Sequence, residues 1–288
     1  MLKELNQVVD YIEEHLTENM SLSEIAQFAG VSDYHFRQVF FYLSGMTLHE
    51  YIKGRKLSEA NKDLLNKEKV TDVAFKYGYE SVDGFSRAFK KWTGYLPSEV
   101  IKLGMSKTLP KFVFYIDVQG GDSMEYKLVE KPSFKFAGVS KTVPMQFEGV
   151  NNAIVELANS ITVNQREMMH SVKNLEPKEV VNISYDHTYD FKEDGGELTH
   201  MIGVLTTKET VEGLDLIEMP ALTWAVFPNE GDFPRALQDI YARIYSEWLP
   251  VADVQLVDAP KFSFTRMDKE KDHYAYSEVW LPVERINH

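Results

Sequence analysis

The first hundred residues place apolar side chains three and four positions apart, which is the spacing of an amphipathic helix. An early run consists of Leu5, Val8, Val9, Ile12 and Leu16. A later run consists of Ile52, Leu57, Ala60, Leu64 and Leu65. This pattern predicts an all-α region with one long helix over residues 48–65. We expect Pro97, the first proline of the chain, to end the region.

Beyond residue 106 the apolar positions change to the alternation that is typical of β-strands. The change begins with a β-like run at 112–118, which is followed by a glycine-rich turn signal. Later runs predict strands at 125–130, 134–142, 180–185, 200–206, 223–227, 262–266 and 274–283. Amphipathic helices are predicted at about 150–161 and 234–248. The mixture of elements predicts an α+β domain.

These patterns divide the chain into an all-α domain over 1–106, a linker over 107–122 and an α+β domain over 123–288. Both domains contain an internal repeat. In the first domain, Phe36-x3-Phe40 recurs as Phe85-x3-Phe89. In the second domain, Glu130-x-Pro132-x-Phe134-x-Phe136-Ala137 recurs as Glu218-x-Pro220-x-Leu222-x-Trp224-Ala225. The second repeat predicts a duplicated strand–helix–strand–strand unit.

Each N-terminal repeat has the pattern of a helix-turn-helix unit. A glycine, Gly30 or Gly78, permits the left-handed backbone of a tight turn. A serine, Ser32 or Ser81, then caps the second helix of the unit. A helical bundle that never touches DNA is the alternative interpretation. Two matching units joined by one long helix favour a double helix-turn-helix DNA-binding domain.

The second helix of each unit is expected to turn polar side chains outward, where they meet base edges and phosphates. The positions predicted for the first unit are Tyr34, Arg37 and Gln38. The positions predicted for the second unit are Val82, Asp83, Ser86, Arg87, Lys90 and Lys91. Arg87 suits bidentate bonding to guanine, and the two lysines suit phosphates.

The run Gly78-Tyr-Glu-Ser-x3-Phe85-Ser-Arg87-x-Phe89-Lys90-Lys91-x2-Gly94-x2-Pro97 resembles the AraC/XylS-type DNA-binding domain, and the resemblance covers about residues 5–103. It implies two units on one face of the duplex that read successive major grooves. Two departures from the family pattern are Phe41-Tyr42, where a basic pair is common, and Asp83, where a neutral polar residue is common. The first departure predicts a weaker grip on phosphate in the first unit. The second predicts that Asp83 accepts a hydrogen bond from cytosine N4 or repels the DNA backbone.

Charge supports this interpretation only in part. The chain of 288 residues has a net charge of −13, which taken alone argues against a nucleic-acid partner. Residues 1–106 hold 13 Lys and Arg against 15 Asp and Glu, a net charge of −2. Residues 107–288 hold 18 against 29, a net charge of −11. DNA contact therefore depends on local basic clusters at 53–56 and 87–91.

Composition also indicates the cellular compartment. Cysteine is absent, which excludes disulfides and thiolate metal sites and fits a reducing cytosol. No run resembles a signal peptide, and none approaches the roughly 18 apolar residues of a membrane span. The eight histidines lack the i, i+4 spacing of zinc helices. We expect a cytoplasmic protein with no metal, no cofactor and no membrane partner.

The segment 272–283 carries the most informative chemistry of the second domain. As a strand it places Tyr274, Tyr276, Glu278 and Trp280 on one face. If that face is buried, the carboxylate needs a partner, and an organic cation would serve through ion pairing and cation–π contact. The alternative is an exposed edge strand on which Glu278 is merely solvated.

The second domain resembles the GyrI-like effector-binding domain over about residues 123–285. The resemblance rests on the duplicated unit and on two motifs, Glu247-Trp248-Leu-Pro250 and Glu278-Val-Trp-Leu-Pro282. This domain is found in multidrug-responsive regulators. The resemblance implies that Glu278 faces the ligand and that aromatic side chains line a cleft between the two repeats. Those side chains would be Trp224, Trp248, Tyr276 and Trp280.

Three classes of function follow. The first is a transcription regulator that binds double-stranded DNA and a small cationic or amphipathic effector, with RNA polymerase as a further candidate partner. The second is a regulator whose C-terminal domain is a ligand-blind brace or a protein-docking surface. The third, an enzyme with Glu278 as general base, is not expected, because no nucleophile elbow, paired carboxylates or metal site supports it.

The predicted oligomeric state follows from the number of reading units. One chain carries two of them, so a monomer is expected to cover two major grooves. Dimerisation through the C-terminal domain is the alternative.

Overall fold

The computed structural model describes residues 2–18, 20, 33–115, 123–146, 150–190 and 195–286. The chain divides into two compact units, Met1–Asp117 and Val118–His288. The division falls inside the segment predicted as a linker. Among the described residues, no helix is both long enough and apolar enough to cross a membrane.

Unit 1 is all-α, as the apolar spacing predicts. The helices in its described part are α1 Leu2–Glu14, α2 Asp33–Ser44, α3 Leu48–Leu65, α4 Val70–Lys76, α5 Val82–Thr93 and α6 Pro97–Leu103. The predicted end at Pro97 is wrong, because this proline begins α6. The first turn of a helix tolerates proline, since no helical acceptor exists there for the missing N–H.

The second helix-turn-helix unit forms as predicted. Ser81 Oγ accepts a hydrogen bond of 3.1 Å from the Gly84 amide and caps α5. Gly94 ends α5 with φ 91°, a left-handed conformation that glycine adopts without strain. Phe85 and Phe89 are fully buried. Gly30 and Ser32 of the first unit lie outside the described residues.

The segment 107–115 contains no strand, which corrects the prediction of a β-like run over its part of 112–118. It lies against α1 and α3. Asn6 and Phe114 exchange two hydrogen bonds of 2.8 Å each, and Phe112 stacks on Tyr51 with ring centroids 4.6 Å apart. The alternating aromatics at 112 and 114 therefore serve helix packing and not sheet pairing.

This segment, which we call the strap, is fixed by buried polar groups of α3. Arg55 donates to the Leu109 carbonyl and also pairs with Glu13 and Glu59. A Cβ on Gly54 would lie 2.6 Å from Cδ2 of Leu109, so glycine lets this side chain of the strap pack directly against α3. The strap belongs to the packed body of unit 1.

Unit 2 is α+β. Its strands are β1 Lys127–Lys131, β2 Phe134–Pro144, β3 Val181–Asp190, β4 Gly195–Thr206, β5 Asp215–Met219, β6 Leu222–Asp232, β7 Val254–Leu256, β8 Lys261–Met267 and β9 Tyr274–Arg285. Its helices are α7 Asn152–Ser160, α8 Val163–Val172 and α9 Arg235–Arg243, and α9 continues as a π-helical turn over Ile244–Trp248. All seven predicted strands and both predicted helices are present. The patterns missed α8 and the short strands β5 and β7.

The sheet topology confirms the duplication. The strand order is β1-β6-β9-β8-β3-β4-β2-β5, with β7 paired to β9. The central strands form two equivalent triplets, β2-β4-β3 and β6-β9-β8, joined where β3 pairs with β8. The edge strands are exchanged, since β1 precedes β2 but pairs with β6, whereas β5 precedes β6 but pairs with β2.

The sheet is strongly curled. In a flat sheet, β2 and β6 would be about 24 Å apart, because five strand spacings separate them. Phe134 on β2 and Trp224 on β6 nevertheless have ring centroids only 6.1 Å apart. Phe136 and Phe262 are similarly close, at 5.3 Å. We call the side that carries these rings the concave face. Helices α7 and α8 cover part of the opposite face through a second apolar cluster.

Candidate functional site

The second helix-turn-helix unit presents a polar, basic surface on α5. Asp83, Arg87, Lys90 and Lys91 are exposed, as predicted. Val82 and Ser86 are half-buried. The charged side chains lie on the side of α5 opposite to the buried phenylalanines, since α5 is strongly amphipathic. This surface offers one planar guanidinium and two ammonium groups to a polyanion.

The first unit differs from the prediction. Arg37 and Gln38 are only 4% and 7% exposed, so their predicted outward placement is wrong. The physical reason is that five consecutive residues, 36–40, are all buried. At 100° per residue they surround the helix, and no side of that stretch reaches solvent. Both residues interact with other groups of the chain. The Tyr34 side chain lies outside the described residues.

In unit 2, the alternation predicted for β9 is present and brings three candidate residues together. Tyr276 donates from its hydroxyl to Glu278 Oε1 at 2.7 Å. Trp280 donates from Nε1 to Glu278 Oε2 at 2.9 Å. Each carboxylate oxygen of Glu278 therefore accepts one hydrogen bond from a neutral aromatic side chain. Burial and the bond to Glu278 raise the pKa of Tyr276 to about 12, so its hydroxyl stays a donor at neutral pH.

The carboxylate lies at the rim of the aromatic core of the concave face. Trp280 is 5% exposed and stacks on Phe262 with centroids 5.1 Å apart. Tyr276 packs beside Phe264 at 6.1 Å. Glu278 itself is half-buried. The interpretation as a fully solvated edge strand is wrong, because β9 lies between β6 and β8.

The described cationic side chains near Glu278 contact the neighbouring aromatic rings and not the carboxylate itself. Among the described residues, no cationic side chain forms an ion pair with Glu278 within 4.0 Å. Two cations lie instead on the neighbouring rings. Lys131 Nζ is 5.1 Å from the Trp280 ring centroid, and Arg266 Cζ is 5.1 Å from the Tyr276 ring centroid. The site thus holds a half-buried carboxylate that pairs with no described cationic side chain, beside rings that bind cations.

Two other predicted cleft residues lie elsewhere. Trp224 is on the concave face, 6.4 Å from Trp280, but it is fully buried and offers no surface to a ligand. Trp248 is on the opposite face, where it packs against Phe227 at 4.8 Å. Trp248 and Tyr126 also border a separate cleft of about 210 Å³. The prediction that Trp248 shares a cleft with Glu278 is therefore wrong.

The sequence patterns did not identify Lys131 and Arg266 as site residues. Lys131 occupies the last position of β1, two residues beyond Val129, which packs against the same core. Alternation along β1 would have placed Lys131 on the concave face. No local signal indicates that β1 pairs with β6, since the exchange of edge strands is a property of the whole sheet.

Nothing in the described part of the chain resembles a metal site, because no group of three or more His, Asp or Glu side chains converges there.

Family comparisons match both units. Residues 124–284 match the GyrI-like small molecule binding domain, and residues 25–102 match a helix-turn-helix domain. The HTH-type transcriptional activator AarP of Providencia stuartii is 38% identical over 95 residues, which are 33% of this chain and 70% of AarP. An uncharacterized HTH-type transcriptional regulator of Staphylococcus aureus strain COL is 35% identical over 96 residues, only 13% of its own length.

Among solved structures, SAV2435 bound to tetraphenylphosphonium aligns with 19% identity and a TM-score of 0.42, covering 56% of this chain and 94% of that chain. An AraC-type transcriptional regulator from Chromobacterium violaceum aligns with 22% identity and a TM-score of 0.34, covering 35% of this chain and 90% of that chain.

Proposed function

The chain belongs to the GyrI-like family of small-molecule-binding domains, and from this premise we propose that a bulky organic cation, bound at Glu278, controls its binding to DNA. With its AraC-type helix-turn-helix domain, the protein is a DNA-binding transcription regulator.

For DNA, the exposed face of α5 supports a reading role for Arg87 and a phosphate-binding role for Lys90 and Lys91. A guanidinium presents a rigid fork that matches the O6 and N7 acceptors of guanine. An ammonium is a compact charge that suits any phosphate. We propose that one chain docks on DNA as a monomer through this helix and the first unit, with RNA polymerase as a further partner.

The α5 proposal is tested with two variants and a footprinted promoter site. Arg87→Ala should weaken binding by about 1–3 kcal/mol and relax the preference at one base pair. Lys90→Ala should weaken binding to all sequences alike and make the dependence of log K on log[salt] shallower by about one unit. Equal losses on specific and random DNA for Arg87→Ala would contradict base reading by this residue.

For the effector, one observation supports the proposal above the others. Glu278 is a half-buried carboxylate whose only described partners are the neutral donors of Tyr276 and Trp280. An ionised carboxylate in a partly apolar surrounding is stabilised by a cation that can approach it. The adjacent aromatic rings favour a cation with apolar substituents, and the net charge of −11 over residues 107–288 attracts cations at longer range.

The probe that tests this proposal is tetraphenylphosphonium, a permanent cation with four aromatic arms. Isothermal titration of the full chain should give saturable binding. Glu278→Gln should weaken it at least about tenfold, because the variant keeps the shape and removes the charge. Glu284→Gln is the matched control, since Glu284 lies on the same strand but is exposed and bonded to Gln255 at 2.7 Å.

The outcomes separate the candidate functions. Binding that Glu278→Gln abolishes and Glu284→Gln preserves supports the cation site. If both variants bind the cation with the affinity of the wild type, Glu278 is not part of the binding site. Absence of binding by any bulky cation favours a brace or protein-docking role for the C-terminal domain.

A further inference from the structure

Two cations of the protein already lie on the aromatic surfaces beside Glu278. Lys131 Nζ is over the Trp280 ring and Arg266 is over the Tyr276 ring, each 5.1 Å from the ring centroid. These contacts are of the same kind as those that a bound organic cation would make. The site is therefore already occupied in part by the protein's own side chains.

The position of Lys131 is determined from two sides. It extends from the end of β1, at one edge of the sheet, and its ammonium donates to the carbonyl oxygen of Glu176 in the segment before β3. Strands β1 and β3 are separated by three others in the strand order. The side chain thus reaches across Trp280 and joins two distant parts of the curled sheet.

Arg266 is held more loosely than Lys131. Its side chain is 63% exposed, and its contact with Glu179 is long, at 3.5 Å. The Lys131 side chain is half-buried, and burial lowers its pKa. Because the Trp280 ring also has Phe262 stacked on it, a ligand that needs this indole meets a ring with both an aromatic and a cationic neighbour. Moving Lys131 off the Trp280 ring therefore requires a larger rearrangement than moving Arg266 off the Tyr276 ring.

Neither cation forms an ion pair with Glu278 within 4.0 Å. The internal cations therefore occupy the rings and leave the carboxylate available. A ligand gains the carboxylate without competition but gains the Trp280 ring only by moving an ammonium group away from it. The affinity of the site therefore depends on ligand size, since a small cation needs the carboxylate alone and a bulky cation also needs the Trp280 ring.

We propose that Lys131 is a built-in competitor that an effector cation displaces from Trp280, so that this lysine sets the affinity and the size selectivity of the site. The inference rests on the proposed function, because it concerns the regulation of the same cation site. It predicts that the removal of a cationic residue close to the ligand changes affinity for a reason beyond net charge.

The test uses three single variants of the full chain and tetraphenylphosphonium. Lys131→Met removes the charge and keeps the apolar stem, and Lys131→Gln also keeps a donor for the Glu176 carbonyl. Both should bind the cation about threefold to thirtyfold more tightly than the wild type, which is the range for displacing one cation–π contact. Lys127→Met, an exposed position on the same strand, is the control for net charge and should change affinity less than about twofold.

Tetramethylammonium and tetraphenylborate complete the experiment. Affinity for tetramethylammonium, which is too small to need the indole, should be the same in the wild type and Lys131→Met. Tetraphenylborate has the shape of tetraphenylphosphonium and the opposite charge, and we expect no tight binding to the wild type.

Failure of this inference differs from failure of the proposed function. If the wild type binds tetraphenylphosphonium through Glu278 but the Lys131 variants bind it equally or more weakly, Lys131 is not a competitor and the cation site stands. If the wild type binds tetraphenylborate and Lys131→Met loses that binding, Lys131 is an anion ligand and the inference is overturned. If neither the wild type nor the variants bind the phosphonium, both ideas fail together.

Discussion

The two repeats of unit 2 have the same topology but different chemistry at equivalent positions. The sequence repeat aligns Phe136 with Trp224, and the strand registers then align β4 with β9 residue by residue. Met201 of the first repeat is equivalent to Glu278 of the second, and Gly203 is equivalent to Trp280. The carboxylate and the indole therefore belong to one repeat alone.

The packing explains why the first repeat does not carry the site. Met201 is fully buried in the aromatic core of the concave face. A Cβ on Gly203 would lie 2.5 Å from the Ala137 carbonyl oxygen, so no side chain fits there. Duplication thus supplies the curled shape, and divergence at a few positions of β9 supplies the chemistry.

The same comparison extends to the opposite face of these strands. His200 of the first repeat is equivalent to Ser277 of the second. The cross-strand pair Ser184 and His200 shares a hydrogen bond of 3.3 Å, and the equivalent pair Thr265 and Ser277 shares one of 3.0 Å. A titratable ring therefore stands in the first repeat where a hydroxyl stands in the second.

The largest effect is expected from moving the carboxylate between the repeats. Met201→Glu buries a charge without a partner and should lower the free energy of unfolding by about 4 kcal/mol, measured by urea denaturation at pH 7. Glu278→Met should lower it by less, about 1–2 kcal/mol, because Glu278 is half-buried and has no ion pair to lose, and the variant removes only the acceptor of the Tyr276 and Trp280 hydrogen bonds. Similar losses for both variants would show that the two positions are energetically alike, which would contradict the divergence of the two repeats.

A smaller effect is expected from acid. Burial lowers the pKa of His200 from 6.5 to about 4. The unfolded chain therefore binds a proton at pH 5 that the folded chain does not bind. Stability from this group is complete above pH 6.5 and declines as the pH falls toward 4. The loss between pH 7 and pH 5 should be about 2 kcal/mol.

His200→Ser gives the first repeat the residue of the second and isolates this contribution. The difference in unfolding free energy between pH 7 and pH 5 should be about 2 kcal/mol smaller for the variant than for the wild type. Parallel pH profiles for the two proteins would mean that His200 takes up its proton at the same pH in the folded and the unfolded chain. This result would contradict its burial.

Much of the fold follows from local patterns, and β9 shows why. The strand pairs with β6 in an unbroken register from Tyr274 to Val283, so strict alternation is enough to place Glu278 beside Tyr276 and Trp280. The long helix over 48–65 was likewise predictable, because its apolar positions keep the helical period without a proline or a break. In both cases the local period and the tertiary environment agree.

The errors arise where packing with distant residues decides the outcome. Trp248 lies on a helix, and no local signal tells which face of the sheet that helix covers. Arg37 and Gln38 are polar, yet they lie in a stretch of α2 that is buried all round. The strap shows the same effect, since the rings at 112 and 114 pack on helices far earlier in the chain, against Tyr51, Phe40 and Asn6.

The most direct measurement is a crystal structure of the full chain with tetraphenylphosphonium. We expect the ligand on the concave face, in contact with the Glu278 carboxylate and the Tyr276 ring, with the Lys131 ammonium moved off Trp280. A ligand bound instead in the cleft beside Trp248 and Tyr126, or against β4 of the first repeat, would contradict the assignment of the effector site to the second repeat.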